Sequence, residues 1–362
     1  MNSAIRVLVA EDSSTVRTIL VGILAAASDI EVVGEATTGA EAIRLTERLR
    51  PDVITMDINM PEIDGLAATE TIMQRVPTPI VIVSSSVRRG DVEMTMQAIQ
   101  VGALSAVPKP DNPYAADFDA YATALVEMVR SMAQIKVVRR RSSTPASALP
   151  LVTRTTGAFP VSPSSSPRTS AARPPQIVAI AASTGGPAAL QIIFSHLPAT
   201  IPTPIVVVQH IADGFVEAMA DWLSQSARPR LVVAEPEMPL EPGTIYIAPS
   251  QKHLGFRGER LMLSDDPPIG GFRPSGTYLF RAVASAFGGA AVGVILTGMG
   301  RDGVDGLVAL RGAGGFVIAQ DEATSVVYGM PQEAVRAGAA DIVLPIGEVA
   351  DAITRQVMQR VA

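Results

Sequence analysis

Short apolar runs alternate with longer amphipathic stretches along most of the chain. In the first part the candidate strands are IRVLVA, EVVGEA, PDVITM, TPIVIVSS and ALSAVPK. After residue 175 the same alternation resumes with QIVAIAA, TPIVVVQH, RLVVAE, TIYIAP, AVGVILT and GGFVIAQ. Strands that are apolar at nearly every position, separated by helical segments, are typical of parallel sheets covered by helices. The pattern therefore predicts an α/β fold with a parallel sheet in each half.

Between the halves lies a segment of different composition, 142–175, in which 20 of 34 residues are Ser, Thr or Pro and none is acidic. Such a segment buries too little apolar surface to offset the entropy of ordering it, which predicts a flexible linker. The preceding basic run, Arg139–Arg141, is better explained as a solvated helix end than as a nucleic-acid contact. We expect one domain at 1–135, a linker at 136–174 and a second domain at 175–362.

Composition narrows the class of protein. Of the 362 residues, 48% are hydrophobic, which is enough apolar surface for large cores. None is cysteine, which excludes disulfides and thiolate catalysis. No apolar run reaches the roughly 18 residues of a membrane span, and the N-terminus lacks the pattern of a signal peptide. The net charge of -6 gives no general reason to expect nucleic-acid binding. We expect a cytoplasmic protein without membrane insertion or a nucleic-acid partner.

Polar side chains follow several predicted strands of the first domain. They are Glu11, Asp12, Asp57, Ser84 and Lys109. Groups at the carboxyl ends of parallel strands converge on one edge of the sheet. Carboxylates packed together repel one another, which favours a divalent cation such as Mg²⁺, and a lysine and a hydroxyl beside it suit a phosphoryl group. Taken singly, Asp12 is explained equally well as the cap of the helix that begins at Ser13-Ser14.

In the second domain the strand QIVAIAA leads into Ser183, Thr184 and a Gly-Gly-Pro sequence that opens a helix. The pattern Ala-x-Ser-x-Gly resembles a nucleophile elbow in shape, with alanine in place of the usual first glycine. A cap, a turn or an anion-binding loop explains the same pattern. Ser183 by itself therefore leaves both interpretations open.

A catalytic serine needs a base, and the chain has three histidines. His210 ends the strand TPIVVVQH, at the same sheet edge as Ser183, and position alone makes it the best candidate. His253 lies in the polar, loop-like sequence PSQKH and is a second candidate. His196 lies near the end of an amphipathic helix, where packing or capping is expected instead.

A carboxylate normally orients such a base. Asp302 follows the strand AVGVILT on the glycine-rich loop TGMGRDG, where a helix cap is the simpler explanation. Its competitors are Asp213, Asp305 and Asp321, the last of which ends the run GGFVIAQD. The glycines of TGMG can also let backbone N–H groups point into a cavity as an oxyanion hole.

The first domain resembles a response-regulator receiver, through Glu11-Asp12, the run MDINMPEIDG around Asp57, Ser84 and Lys109-Pro110. This resemblance implies a flavodoxin-like (βα)5 fold and phosphorylation of Asp57 by a histidine kinase. It further implies a set of Mg²⁺ ligands, namely Glu11, Asp12, Asp57 and the Asn59 carbonyl. Ser84 and Lys109 would bind the phosphoryl oxygens. Ala106 departs from the receiver pattern, which has an aromatic residue three positions before the lysine, so an aromatic switch is not expected.

The second domain resembles the catalytic domain of the chemotaxis protein-glutamate methylesterases, the CheB family. The shared motifs are AIAASTGGP, VVVQH, GVILTGMGRDG, KHLGFRGERLMLSDDPPIGGFRPS and AQDEATSVVYGMPQEAV. The resemblance implies a doubly wound, mostly parallel hydrolase domain with Ser183 as nucleophile, His210 as base and Asp302 as its partner. The Met299 amide would stabilise the oxyanion, while Thr184 would shape the site. At SGTYLF, Ser275 is kept but the acidic residue common in relatives is absent.

Together the two resemblances imply an enzyme that hydrolyses glutamyl methyl esters on chemoreceptors, and deamidates glutamines, without a cofactor for ester hydrolysis. They also imply that the unphosphorylated receiver covers the hydrolase cleft. Two other classes of protein remain as alternatives. One is a phosphorylated binding module without turnover, and the other is a transcriptional regulator, which the absence of a basic recognition helix after residue 175 opposes.

Overall fold

The computed structural model describes residues 4–84, 89–110, 118–135 and 176–358. The predicted linker, 136–174, which includes the basic run Arg139–Arg141, lies outside the described residues.

The first domain is a five-stranded sheet in which every described pairing is parallel, in the order β2-β1-β3-β4-β5. Its strands are β1 Ile5–Ala10, β2 Ile30–Ala36, β3 Val53–Asp57, β4 Ile80–Ser84 and β5 Ser105–Pro108. Its helices are α1 Ser14–Ala25, α2 Gly39–Leu49, α3 Gly65–Arg75, α4 Arg89–Val101 and α5 Phe118–Met132. The strands β3 and β4 are buried at every position, because helices cover both faces of the sheet. This strand order confirms the predicted flavodoxin-like fold.

The second domain is built on a seven-stranded sheet, in the order β14-β13-β12-β6-β7-β9-β8, with parallel pairing throughout. Its strands are β6 Ile177–Ala182, β7 Ile205–Gln209, β8 Arg230–Val233, β9 Thr244–Ile247, β12 Ala291–Ile295, β13 Phe316–Gln320 and β14 Ile342–Leu344. Its helices are α6 Gly186–His196, α7 Val216–Ser224, α8 Gly276–Phe287, α9 Val304–Gly312, α10 Met330–Arg336 and α11 Ile346–Met358, with a 3₁₀ turn at Gly288–Ala290. The predicted doubly wound α/β domain is confirmed.

Two strands outside this sheet, β10 His253–Arg257 and β11 Arg260–Ser264, form an antiparallel hairpin that the sequence pattern did not predict. Charged residues flank its turn at Gly258, which adopts the left-handed conformation with φ of 60°. Each strand has only five residues and begins or ends with polar ones, so its apolar stretch is too short to be recognised as a strand from the sequence. The three-residue strand β14 was missed for the same reason of length.

The order of the strands switches at β6: the strands that follow it directly in the sequence lie on its β7 side, and the later strands lie on its β12 side. In parallel α/β sheets such a switch point opens a crevice beyond the carboxyl ends of the strands. Ser183, His210 and Asp302 follow β6, β7 and β12 in the sequence. The topology therefore places all three residues at this crevice.

The two domains contact each other through α4, which packs against α7 and, less extensively, against α6. Val326 and Val327 of the second domain pack against a core cluster of the first. Ser131, near the end of α5, lies against the Met299 sulfur. The first domain therefore reaches the loop that follows β12. No helix within the described residues is both long and apolar enough to cross a membrane.

Candidate active site

Ser183 is the first residue beyond β6 and is half-buried. Its N–H donates to the Thr297 carbonyl (3.0 Å), and its own carbonyl accepts the N–H of Gly186 (2.8 Å). The helix α6 begins at an N-cap of Gly185, in the left-handed conformation with φ of 77°, without a side-chain cap. The Ser183 hydroxyl is therefore not used as the cap of α6.

His210 directly follows β7, and its N–H donates to the carbonyl of Ala182 (2.9 Å), the residue before Ser183. Its Nε2 lies 2.9 Å from Oδ2 of Asp302. Its Nδ1 is buried and has no hydrogen-bond partner among the described residues. The ring stacks on Phe272, with centroids 4.1 Å apart and planes 6° apart. With Nε2 committed to a carboxylate, Nδ1 is the atom that can take up a proton.

The Asp302 carboxylate accepts two hydrogen bonds on each oxygen. Oδ1 accepts the Ser275 hydroxyl (2.7 Å) and the Thr277 N–H (3.1 Å), while Oδ2 accepts the Gly276 N–H (2.6 Å) besides His210. Burial alone would raise the pKa of Asp302, but the hydrogen bonds and the charge of His210 outweigh it and hold that pKa well below its usual range. The carboxylate is thus kept ionised beside the imidazole.

Asp302 does not serve as a helix cap for α9, whose N-cap is Gly303 without a side-chain hydrogen bond. The competing aspartates bond elsewhere. Asp213 accepts Gln251 Nε2, Asp305 pairs with Arg301, and Asp321 accepts from Thr324. Of the four candidates, Asp302 is therefore the one that contacts His210.

The loop after β12 lies directly against the nucleophile candidate. A β-carbon at Gly298 would lie 2.7 Å from Cβ of Ser183, so only glycine permits this approach. The Gly298 N–H donates to the Val327 carbonyl (3.0 Å), and its carbonyl accepts the Met330 N–H (2.8 Å). Met299, the next residue, is 37% exposed. These two backbone hydrogen bonds fix Gly298 against Ser183, and Met299 is the next residue of the same loop.

Gln209 is a buried residue of the site that the sequence analysis missed. Its Nε2 donates to the carbonyls of both Ser183 (2.7 Å) and His210 (2.8 Å). A β-carbon at Gly186 would collide with its side chain, so the amide fits against the start of α6. The available signal was a single polar residue ending an otherwise apolar strand, VVVQ.

The remaining histidines and Thr184 take other places. His196 is exposed at the end of α6, where Nδ1 lies 2.8 Å from the Ile192 carbonyl of the same helix. The prediction that His253 lies in a loop is wrong. It is the fully buried first residue of β10. Thr184 is buried, and its carbonyl accepts the Thr297 hydroxyl (2.9 Å).

The first domain carries a second cluster at the carboxyl edge of its sheet. Lys109 Nζ lies 2.8 Å from Oδ2 of Asp57 and 2.9 Å from Oε1 of Glu11. Carboxylate oxygens of Glu11, Asp12 and Asp57 all lie within 4.8 Å of one another. Asp12 is exposed and is not the cap of α1, because that role belongs to Ser13. The predicted convergence of charged groups is therefore observed.

The electrostatics of this cluster fit a cation. Burial, followed by the charge of Asp57, raises the pKa of Glu11 to about 7, and burial also raises the pKa of Asp57. Glu11 Oε2 is buried without a hydrogen-bond partner among the described residues. Because two carboxylates resist ionisation here and one oxygen is unpaired, the donor set suits an oxygen-seeking divalent ion.

Three more residues named in the sequence analysis lie in this domain. The hydroxyl of Ser84 is buried, with no partner within the part of the chain that the structure describes. The Asn59 N–H donates to Oδ1 of Asp57 (3.2 Å). Ala106 lies on β5 and is buried. The cluster thus places a free hydroxyl and a lysine at the same sheet edge as the carboxylates.

Comparisons with known proteins agree with this architecture. Residues 178–353 match the CheB methylesterase family, and residues 7–115 match the response regulator receiver domain. The protein-glutamate methylesterase/protein-glutamine glutaminase 4 of Myxococcus xanthus is 49% identical, over 98% of this chain and 97% of that protein. The protein-glutamate methylesterase/protein-glutamine glutaminase 3 of Anaeromyxobacter dehalogenans is also 49% identical, over 96% of this chain and 97% of that protein.

A solved structure, the Thermotoga maritima CheB methylesterase catalytic domain, is 37% identical with a TM-score of 0.49 and covers 50% of this chain and 98% of that one. The two curated relatives share about half of their residues with this chain across nearly all of it. The chain therefore belongs to the CheB methylesterase family, with a response regulator receiver domain at its N-terminal side.

Proposed function

We propose that this protein is a phosphorylation-activated serine hydrolase that removes methyl groups from glutamyl methyl esters of methyl-accepting chemoreceptors, giving chemotactic adaptation. The observation that carries the proposal is the His210–Asp302 pair, which leaves a free Nδ1 at the strand end beside Ser183. Methanol release from methylated receptor, measured with and without a phosphodonor, tests it. A protein that releases no methanol under either condition contradicts the proposal.

In the proposed reaction, His210 Nδ1 takes the proton of the Ser183 hydroxyl while the oxygen attacks the ester carbonyl carbon. The Asp302 carboxylate stabilises the resulting imidazolium. The Met299 amide faces the oxyanion of the tetrahedral intermediate. His210 returns its proton to the departing methoxide, and methanol leaves an acyl-enzyme.

A water molecule then attacks the acyl-enzyme, with His210 again accepting the proton, and the free glutamate and the Ser183 hydroxyl are restored. The same steps release ammonia from a glutamine side chain, which accounts for deamidation as the second activity. All of these steps use only protein groups and water.

For the receiver we propose that Asp57 accepts a phosphoryl group from a histidine kinase. Glu11, Asp12, Asp57 and the Asn59 carbonyl would hold Mg²⁺, which, when bound, neutralises charge on the phosphoryl oxygens. Ser84 offers its hydroxyl, which has no partner among the described residues, to one of those oxygens, and Lys109, which pairs with Asp57, offers its ammonium to another. The acidic cluster with its raised pKa values supports this assignment.

We further propose that the unphosphorylated receiver restrains the hydrolase by covering its cleft. The contact between Ser131 and Met299, together with the packing of Val326 and Val327 on the receiver, supports this. We also propose that residues 1–135 and 175–362 form the two domains and that a linker joins them. We propose the cytoplasm as its location.

Replacing Asp57 by asparagine is expected to leave basal methanol release unchanged and to abolish its stimulation by a small-molecule phosphodonor. Asparagine retains the size of the side chain but cannot form the acyl phosphate. Asp52→Asn is the matched control, since among the described residues the Asp52 carboxylate accepts only the Arg6 N–H (2.8 Å), at the opposite edge of the sheet. Equal stimulation of the Asp57→Asn variant and the wild type would show that Asp57 is not the phosphorylated residue.

Replacing Phe272 by leucine is expected to lower kcat about 2- to 12-fold, which corresponds to the roughly 0.5–1.5 kcal/mol of an aromatic pair beyond its burial. The flat ring restricts rotation of His210 and faces the imidazolium once it forms. Phe272→Tyr keeps the stack and serves as the control. A leucine variant with the kcat of the wild type would show that the stack does not orient the base.

A further inference from the structure

His253 uses both of its ring nitrogens although the reaction proposed above does not involve it. The Ser275 N–H donates to Nδ1 (3.2 Å), and Nε2 lies 3.2 Å from the Pro267 carbonyl. Since a backbone N–H can only donate, Nδ1 must be unprotonated, which places the proton on Nε2, where it is donated to Pro267. His253 is therefore a neutral imidazole in one fixed tautomer.

The residue that His253 holds is the N-cap of α8, the helix whose first turn surrounds Asp302. The Ser275 hydroxyl donates to Oδ1 of Asp302, and the next two N–H groups, of Gly276 and Thr277, also donate to this carboxylate. The turn thus bonds to His253 through the Ser275 N–H, and to Asp302 through the Ser275 hydroxyl and the next two N–H groups. A shift of Ser275 would displace three of the four donors that fix the carboxylate.

A second contact strengthens this connection. The ring of His253 stacks on Tyr278 in the first turn of α8, with centroids 4.4 Å apart and planes 12° apart. The Tyr278 N–H donates to the Ser275 hydroxyl (3.3 Å). His253 therefore contacts the same turn through a hydrogen bond and through a stacked ring.

We propose that His253 is a positioning residue for ester hydrolysis, which fixes the first turn of α8 so that its donors hold Asp302 in line with His210. The inference rests on the proposed triad of Ser183, His210 and Asp302. His253 does not act as a base, because it is fully buried and neither ring nitrogen is free. Its effect on the reaction passes through Asp302.

The test compares three substitutions in the full-length protein. His253→Asn places an acceptor where Nδ1 stands and keeps the bond from Ser275, whereas His253→Gln places its amide near Nε2 and loses that bond. His253→Phe keeps the stacked ring and loses both bonds. Because a misplacement of about 1 Å costs about 10²-fold in rate, we expect the glutamine and phenylalanine variants to lose about 10- to 100-fold in kcat with little change in KM. The asparagine variant should recover most of that loss.

The dependence on Asp302 is measured in the Asp302→Ala background, with kcat referred to folded enzyme. There His253→Phe should lower kcat no further, because the carboxylate that it positions is gone. His196→Phe is the matched control, since the exposed His196 bonds only within its own helix.

Equal losses in the asparagine and glutamine variants would overturn the inference, and this comparison remains available if the phenylalanine variant does not fold. An equal further loss in the Asp302→Ala background would also overturn it, because the effect would then bypass Asp302. If Asp302→Ala itself retained full activity, the proposed triad would fail instead, so the two failures are distinguishable.

Discussion

Replacing Ser183 by alanine is expected to lower kcat for ester hydrolysis on the order of 10⁶-fold, as loss of the nucleophile does in serine proteases. Alanine removes the oxygen that forms the acyl-enzyme, while the oxyanion loop and the binding surface remain. The remaining rate should still exceed that of the reaction in water by roughly 10³–10⁴-fold. Methanol release under single-turnover conditions measures both the loss of rate and the rate that remains.

A fluorophosphonate probe provides an independent readout of the same serine. Stoichiometric labelling of the wild type at Ser183, and none of the alanine variant, is the expected result. Ser195→Ala is the control, because Ser195 lies on α6 and its hydroxyl donates to Ile192 of the same helix (3.0 Å). Labelling of Ser183→Ala at another serine would reject Ser183 as the nucleophile, and no labelling of the wild type would favour a binding domain without turnover.

Replacing Asp302 by asparagine is expected to lower kcat about 10⁴-fold, as the equivalent change does in a serine protease triad. Each carboxylate oxygen accepts two hydrogen bonds. An asparagine has one oxygen and one NH₂ group, so in either orientation the NH₂ meets two donors. The imidazolium formed at His210 then loses its counter-charge, and the ring loses its orientation.

The same substitution should also destabilise the second domain. Buried donors left without an acceptor cost about 1–3 kcal/mol of unfolding free energy, which denaturant titration can measure. Asp305→Asn is the matched control, since Asp305 is an exposed residue paired with Arg301 at 2.6 Å. An Asp302→Asn variant with near-normal kcat would mean that the carboxylate does not orient the base.

The fold was predictable because its central strands are buried on both faces. Strands such as β3, β4 and β7 are buried at every position and therefore appear in the sequence as uninterrupted apolar runs. The β10–β11 hairpin lies outside the parallel sheets, and polar residues surround its short apolar segments. Its omission led directly to the wrong prediction that His253 occupies a loop.

The positions of Ser183 and His210 followed from the rule that parallel strands end at one edge. The selection of Asp302 over its competitors did not follow from that rule, because Asp213, Asp305 and Asp321 also come after predicted strands in the sequence. What distinguishes Asp302 is a long-range contact with the first turn of α8, 25 to 27 residues earlier in the chain. The role of Gln209 was not predicted, because its side chain bonds to backbone carbonyls, and every residue type carries a backbone carbonyl.

The hydrogen bonds from Gln209 to Ser183 and His210 couple two residues that directly follow neighbouring strands. Neighbouring strands lie about 4.8 Å apart in every sheet, so the spacing of these two residues is a property of the backbone rather than of the loops around them. We therefore expect the spacing of Ser183 and His210 to persist when loops outside the sheet are changed, because the pairing of β6 with β7 sets it.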